Sequence, residues 1–155
     1  MEGSNHIIAF YLSPELKAAS PLQQHDQEKA IADFMLHNQI DLSASVGPFE
    51  GYLSLQDNKW ILNIREHLGG ASVADVKIPV SSLRKMIKDY SIICENYQQA
   101  VATADPSKVQ AIDMGRRSLH NEGAEMLVKI LSSTLDIDFE TGRRLFSILV
   151  VVSRR

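Results

Sequence analysis

Asp113, Arg116, Arg117 and His120 stand close together in the stretch Asp113-Met114-Gly115-Arg116-Arg117-Ser118-Leu119-His120-Asn121-Glu122-Gly123-Ala124-Glu125. Two guanidinium forks suit a phosphate or a carboxylate, and an imidazole can move a proton near neutral pH. Apolar periodicity makes residues 107–131 a helix. With Ile112 at zero on the helical wheel, Leu119, Gly123 and Ile130 fall within about 20° of it, while Asp113, Arg116, Arg117 and His120 share one shoulder roughly 40 to 140° away. Asp113 and Arg117 are spaced i, i+4, as are Arg116 and His120, so neighbours on this shoulder can touch. The shoulder is therefore the candidate ligand-binding set, with His120 as the candidate general acid/base. The competing reading is an Asp–Arg–His network that fixes helix packing or a dimer seam, since such networks also perturb pKa values.

Glycine in a helix interior costs about 1 kcal/mol relative to alanine. Gly115 and Gly123 therefore need local reasons, and Gly123, on the apolar face, is placed to admit a neighbouring helix. Glu140-Thr141-Gly142-Arg143-Arg144 is a second Gly-Arg-Arg unit. Four guanidinium groups would surround one anion if both arginine pairs converged; a solvated face is the plainer expectation for at least one pair.

Other chemistries find little support. His120 and Glu122 lie about 200° apart on the wheel, and His6, His25, His37 and His67 are scattered, so neither a metal site nor a cofactor is expected. A phosphoacceptor role for His120 lacks the fuller signatures of phosphorelay proteins. Cys94 sits on an apolar stripe beside Tyr90 and Tyr97, as a buried, inert thiol would. Ser118 and His120 point apart, which excludes a direct nucleophile–base pair. No dinucleotide fingerprint, Walker A loop or nucleophile elbow occurs.

The elements that must position these residues are legible from pattern. Ile7 to Leu12 reads as a buried strand. Ser20-Pro21-Leu22-Gln23 is a helix start with Ser20 as N-cap and Gln23 completing a capping box; Ala30, Ile31, Phe34 and Met35 carry its stripe, which fades near Asn38. A polar loop spans Asp41 to Pro48. Residues 50–79 read as an antiparallel meander: Trp60, Leu62 and Ile64 share one face, Ala74, Val76 and Ile78 alternate with Asp75 and Lys77, and turns fall at Asp57-Asn58 and Gly69-Gly70. Beyond Ser81, assigned as an N-cap, a 3.6 period takes over. Leu83, Met86, Ile87, Tyr90, Cys94, Tyr97 and Val101 form a long helix that breaks at Ala102-Thr103-Ala104. Asp105-Pro106 restarts it, with Val109, Ile112, Leu119, Met126 and Ile130 lining the next helix. Asp138 caps a third helix whose end, Leu145 to Val152, is apolar on all sides; helix is favoured there over strand.

The expected fold is therefore α+β, a small, mainly antiparallel sheet from the N-terminal half packed against three C-terminal helices, in a single domain over 1–155. The chain has 155 residues, 45% hydrophobic and 23% charged, with a net charge of −3. Residues 1–80 carry 5 Lys/Arg against 10 Asp/Glu, and residues 81–155 carry 11 against 9. That is too little basic character for nucleic-acid binding, though it puts any anion site in the C-terminal half. The unbroken apolar runs, Ile7 to Leu12 and Ile148 to Val152, are far short of a membrane span. One cysteine, and no secretory signal within Met1 to His6, fit the cytoplasm.

Lys88-Asp89-Tyr90, Ile93-Cys94-Glu95-Asn96-Tyr97, Ala111-Ile112-Asp113-Met114-Gly115-Arg116-Arg117 and Leu119-His120-Asn121-Glu122-Gly123 together resemble uncharacterised protein family 0262, found mainly in alphaproteobacteria. The segments Leu55-Gln56-Asp57-Asn58 and Asp136 to Phe146 are similar too, with Gly142 standing where the family pattern leads one to expect alanine. The resemblance implies a small bacterial cytoplasmic protein and brings no activity, cofactor or partner with it. The leading expectation is a non-enzymatic binding or regulatory module that uses the 113–123 segment to contact a protein or an anionic small molecule, with a homodimer compatible. The alternative is a small enzyme acting on an anionic metabolite, with His120 as acid/base and Arg116 and Arg117 as clamps. A concave pocket converging on His120 favours the enzyme, a flat exposed patch favours the module, and a buried network favours a structural role.

Overall fold

The computed structural model describes residues 5–42, 45–68, 70–103 and 105–154. Its elements run β1 (Ile7–Leu12), a 3-10 turn (Pro14–Leu16), α1 (Pro21–Leu36), β2 (Ile40–Asp41), β3 (Phe49–Gln56), β4 (Lys59–Glu66), β5 (Ser72–Pro79), α2 (Val80–Thr103), α3 (Pro106–Leu131), β6 (Asp136–Ile137) and α4 (Phe139–Val152). The main sheet has the order β1-β3-β4-β5, parallel between β1 and β3 and antiparallel elsewhere. The α+β expectation holds, with the meander in the predicted place.

The β3–β4 hairpin closes on Asp57 (φ 52°) and Asn58 (φ 60°). A two-residue turn of this kind needs left-handed backbone at both positions, and Asp and Asn tolerate it better than most residues. Gln56 pairs with Lys59, which fixes the register of the whole hairpin. Trp60, Leu62 and Ile64 on β4 and Val76 and Ile78 on β5 then face the core. Of the second predicted turn, Gly70 has φ 67°, while Gly69 lies outside the described residues.

The helices form a layer in which α1 packs on α4, α4 on α3 and α3 on α2. α4 is the central member: Leu145, Phe146, Ile148, Leu149, Val150 and Val152 are all buried, which accounts for its all-round apolar end. Its start is tied to the end of α1 by three links. Ile40 pairs with Ile137 in the short β2–β6 ladder, the Gln39 N–H donates to Thr141 Oγ1 (2.7 Å), and His37 Nε2 meets Asp138 Oδ2 at 3.0 Å.

Several sequence expectations need correction. β1 is an edge strand rather than a buried one: Ile7 and Phe10 face the core while Ile8 and Tyr11 are exposed. Ser20 Oγ accepts from the Gln23 N–H (3.2 Å) as a cap should, but the Gln23 amide donates to the Arg154 carbonyl (2.6 Å) instead of closing a capping box. α2 begins at Val80, directly after β5, so Ser81 is inside the helix and not its N-cap. Its buried stripe ends at Ala100, leaving Val101 exposed. On α3 the buried residues are Gly123, Ala124, Leu127 and Leu131. Val109, Ile112, Leu119, Met126 and Ile130 are only half-buried, because α3 is wedged between α2 and α4 and its contact face is broader than one stripe.

Candidate functional site

Side chains at the α3–α4 crossing are placed by helix starts and by missing side chains. Asp105 Oδ1 accepts from the Lys108 N–H (3.0 Å) to start α3, and Asp138 Oδ1 accepts from the Thr141 N–H (2.9 Å) to start α4. Each cap satisfies an otherwise orphaned helix donor. At the crossing, a Cβ added to Gly123 would lie 2.5 Å from the Phe146 ring, and one added to Gly142 would lie 3.0 Å from the Ala124 carbonyl oxygen. Gly142, where the family pattern suggests alanine, thus has a packing role at this crossing. Gly115 plays a looser part toward α2, where its added Cβ would meet the tip of Ile93 at 2.9 Å.

One helical turn from Gly123, this close crossing presses His120 onto α4. Its Nε2 lies 2.7 Å from the Arg143 carbonyl oxygen and 3.0 Å from Ser147 Oγ, and its Nδ1 faces the Arg143 guanidinium at 3.3 Å. A carbonyl oxygen only accepts and a guanidinium only donates. The neutral tautomer with the proton on Nε2 satisfies both ends: Nε2–H donates to the carbonyl, and Nδ1 accepts from Arg143. The ring stacks on Tyr90 (centroids 5.2 Å apart, planes 27° apart) and touches Phe146. Burial pushes the His120 pKa down; the Arg143 carbonyl works against that, and the charges of Arg143 and Arg116 add to it. His120 is therefore a neutral pin between helices, with both ring nitrogens engaged.

The predicted shoulder divides at this point. Asp113, Arg116 and Arg117 do come together: Asp113 Oδ1 accepts from Arg116 Nε (3.1 Å) and Nη2 (2.6 Å), and Oδ2 meets Arg117 Nε at 3.0 Å. Arg116 turns toward α2, where its guanidinium lies 5.1 Å from the centre of the Tyr97 ring and its charge acts on Tyr90. His120 turns the other way, toward α4. Tyr90 is the neighbour they share. Its phenol pKa is raised by burial and by the adjacent Cys94, against the pull of Arg116. Asp113 is held low chiefly by its hydrogen bonds from Arg116.

The second Gly-Arg-Arg unit repeats the same device. Glu140 Oε2 meets Arg143 Nη1 and Oε1 meets Arg144 Nε, each at 3.2 Å. In both units one carboxylate at position i is forked by arginines at i+3 and i+4. Burial would raise the Glu140 pKa, but hydrogen bonds from Arg144 and Arg143 hold it below the usual carboxylate value. Arg144 also donates to the Asp33 carbonyl of α1. The four guanidinium groups do not converge on one anion, because each pair is already answered by its own acid. His120, Arg143, Arg144, Glu140, Ser147 and Asp33 line a shallow groove of about 330 Å3, into which Arg116 and Arg117 do not reach. Arg143 Nε is buried there, with no hydrogen-bond partner among the described residues.

Among the described residues, no three His, Cys, Asp or Glu side chains are placed to hold a metal ion. No helix among them is long and apolar enough to cross a membrane.

Two relationships escaped the sequence. The partner of His120 is Arg143, 23 residues away, which helix periodicity cannot supply. On the solvent face of the sheet Tyr11 stacks on Tyr52 (4.9 Å), Arg65 lies over Tyr52 (5.1 Å), and Glu50 accepts from the Tyr52 hydroxyl (2.9 Å) and meets His67 (2.9 Å). Hydrogen bonds from His67, then Tyr52, lower the Glu50 pKa. The alternation of Glu50 and Tyr52 with core residues was its only signal in sequence.

A model of the uncharacterised protein family UPF0262 matches residues 4–155. Similar proteins carrying that family name come from Azorhizobium caulinodans (40% identity, covering 81% of this chain and 79% of the relative), Rhizobium etli (37%, covering 97% and 96%) and Brucella canis (38%, covering 96% and 94%). No solved structure matches.

Proposed function

The chain belongs to the uncharacterised protein family UPF0262, and we propose that it works as a non-enzymatic, protein-binding module that uses the exposed side of α3 within residues 113–123. The reading rests on one observation. Met114 is 66% exposed, and the Arg117 side chain beside it is 68% exposed while its guanidinium is held by Asp113. Residues three and four apart share a helix face, so Met114, Arg117, Ser118 and Asn121 make one solvent-facing stripe. Arginine is favoured at the energetic centres of protein interfaces, and a guanidinium already held by a carboxylate has less freedom to lose on binding. The lone free Cys94 supports placement in the cytoplasm, and the continuous hydrophobic cluster shared by sheet and helices supports one domain over 1–155.

The enzyme alternative, His120 as acid/base on an anionic metabolite, has less support. A general base needs a free lone pair within reach of its substrate; Nδ1 of His120 faces Arg143 and Nε2 faces a carbonyl. The arginines beside it are paired with Glu140.

The test is site-specific photo-crosslinking in the native cell, with the photoreactive residue at Met114 or Ser118 on α3 and at Lys59 on the sheet as control. The expected result is a discrete protein adduct from both helix positions, absent from Lys59 and lost in Arg117→Glu. Equal labelling at all three positions, or adducts indifferent to Arg117→Glu, would overturn the proposal.

A further inference from the structure

The two edges of the main sheet are treated differently. On the β1 edge the buried Asn38 side chain acts as a short mimic of a strand: its Oδ1 accepts from the Ile7 N–H (2.6 Å) and its Nδ2 donates to the Ile7 carbonyl (3.0 Å). Among the described residues no strand or side chain does this for β5, which pairs with β4 alone. An open edge is a template for pairing with another chain unless something blocks it.

The hairpin register says which groups face outward. In a two-residue hairpin the residues flanking the turn, Gln56 and Lys59, exchange hydrogen bonds, and alternation continues along the strand. Trp60, Leu62 and Ile64 therefore turn their backbone groups to Ile78, Val76 and Ala74 of β5. The N–H and C=O groups of Asp75 and Lys77 point away from the sheet. The usable edge is bounded at both ends, by the register shift that skips Val73 and by Pro79, which has no N–H to donate. Its centre is Val76.

We infer that β5 pairs antiparallel with β5 of a second copy of this chain about a two-fold axis at Val76, joining two four-stranded sheets into one of eight strands. This register sets Asp75 opposite Lys77 of the other copy, twice, in pairs that exchange both backbone hydrogen bonds. Opposite charges directly across a ladder stabilise it. A slip of two residues in either direction sets Asp75 against Asp75 or Lys77 against Lys77, and a slip of one turns the hydrogen-bonding groups away. Both side chains are available on the solvent face. Asp75 Oδ1 accepts from Asn63 Nδ2 (2.7 Å), which leaves Oδ2, and the Lys77 ammonium has no partner among the described residues. The pairing uses the sheet edge and leaves the exposed stripe of α3 free.

Sedimentation equilibrium over a concentration series tests this with three proteins. The wild type is expected to reach twice the chain mass, and Asp75→Lys and Lys77→Asp, each setting like charges against each other, are expected to remain monomers with wild-type circular dichroism. Mixed in equal amounts, the two variants are expected to regain the dimer, because lysines at 75 and 77 of one then face aspartates at 77 and 75 of the other. A monomeric wild type, single variants that still dimerise, or a mixture that stays monomeric would overturn the inference. Amide exchange on the unmodified protein supplies a check that needs no variant. Asp75 and Lys77 N–H protection should rise with protein concentration; protection independent of concentration contradicts the pairing.

Discussion

Replacing Gly123 by alanine adds a single methyl group at the α3–α4 crossing. That Cβ would lie 2.5 Å from two atoms of the Phe146 ring and 2.7 Å from a third. Phe146 is fully buried and fixed edge-on against Tyr90 (5.6 Å), so the ring cannot swing into solvent. Overpacking of this kind costs about 1–3 kcal/mol, and three sub-van-der-Waals contacts place it near 3. Alanine returns about 1 kcal/mol of helix propensity. The net expectation is a loss of about 2 kcal/mol, or roughly 4–8 °C in Tm for a chain of this size. Gly115→Ala is the internal control. Its Cβ meets only the flexible end of Ile93, so the propensity gain should win and the variant should melt at or slightly above wild type. Urea denaturation of both variants, with unchanged m-values, measures the difference. Equal stability of the two, or a gain at Gly123, would refute close packing as the reason for that glycine.

Three further outcomes are expected. Because burial holds the His120 pKa below its unfolded value of about 6.5, the unfolded chain binds more protons as pH falls through that point. Stability should therefore drop on acidification from pH 7 into the window below about 6.5, ahead of the carboxylate losses expected below about pH 4, and His120→Gln should flatten that step in a pH series of melts. Asn38→Ala removes the bonds to both backbone groups of Ile7 and to the Phe34 carbonyl (3.1 Å), and should cost about 2–3 kcal/mol by denaturant titration. Cys94, half-buried on α2 near Tyr90, should label slowly with a thiol reagent in buffer and at once in denaturant; rapid native labelling would contradict its packing.

Local signals account for what was legible in the sequence. The Asp57-Asn58 turn, the alternation of Trp60, Leu62 and Ile64, and the caps at Asp105 and Asp138 are encoded within a few residues and reappear where expected. The Asp113–Arg116–Arg117 fork is equally local, spanning one helical turn. Relations set by tertiary packing stayed hidden. Ser81 lost its cap role because β5 runs into α2 with no loop between them. His120 left the shoulder because the crossing at Gly123 and Gly142 brings a backbone carbonyl of α4 within reach. Nothing in the spacing of a single helix encodes that encounter.

The state of His120 separates scaffold from catalyst most directly, and long-range proton–nitrogen correlation NMR on the uniformly 15N-labelled protein observes it. The predicted result is a neutral ring protonated at Nε2, with Nδ1 unprotonated at pH 7 and a titration midpoint below the ordinary histidine value. A ring protonated at Nδ1, or a midpoint at or above 6.5, would contradict the hydrogen-bond assignment and return His120 to the list of candidate acid/base groups.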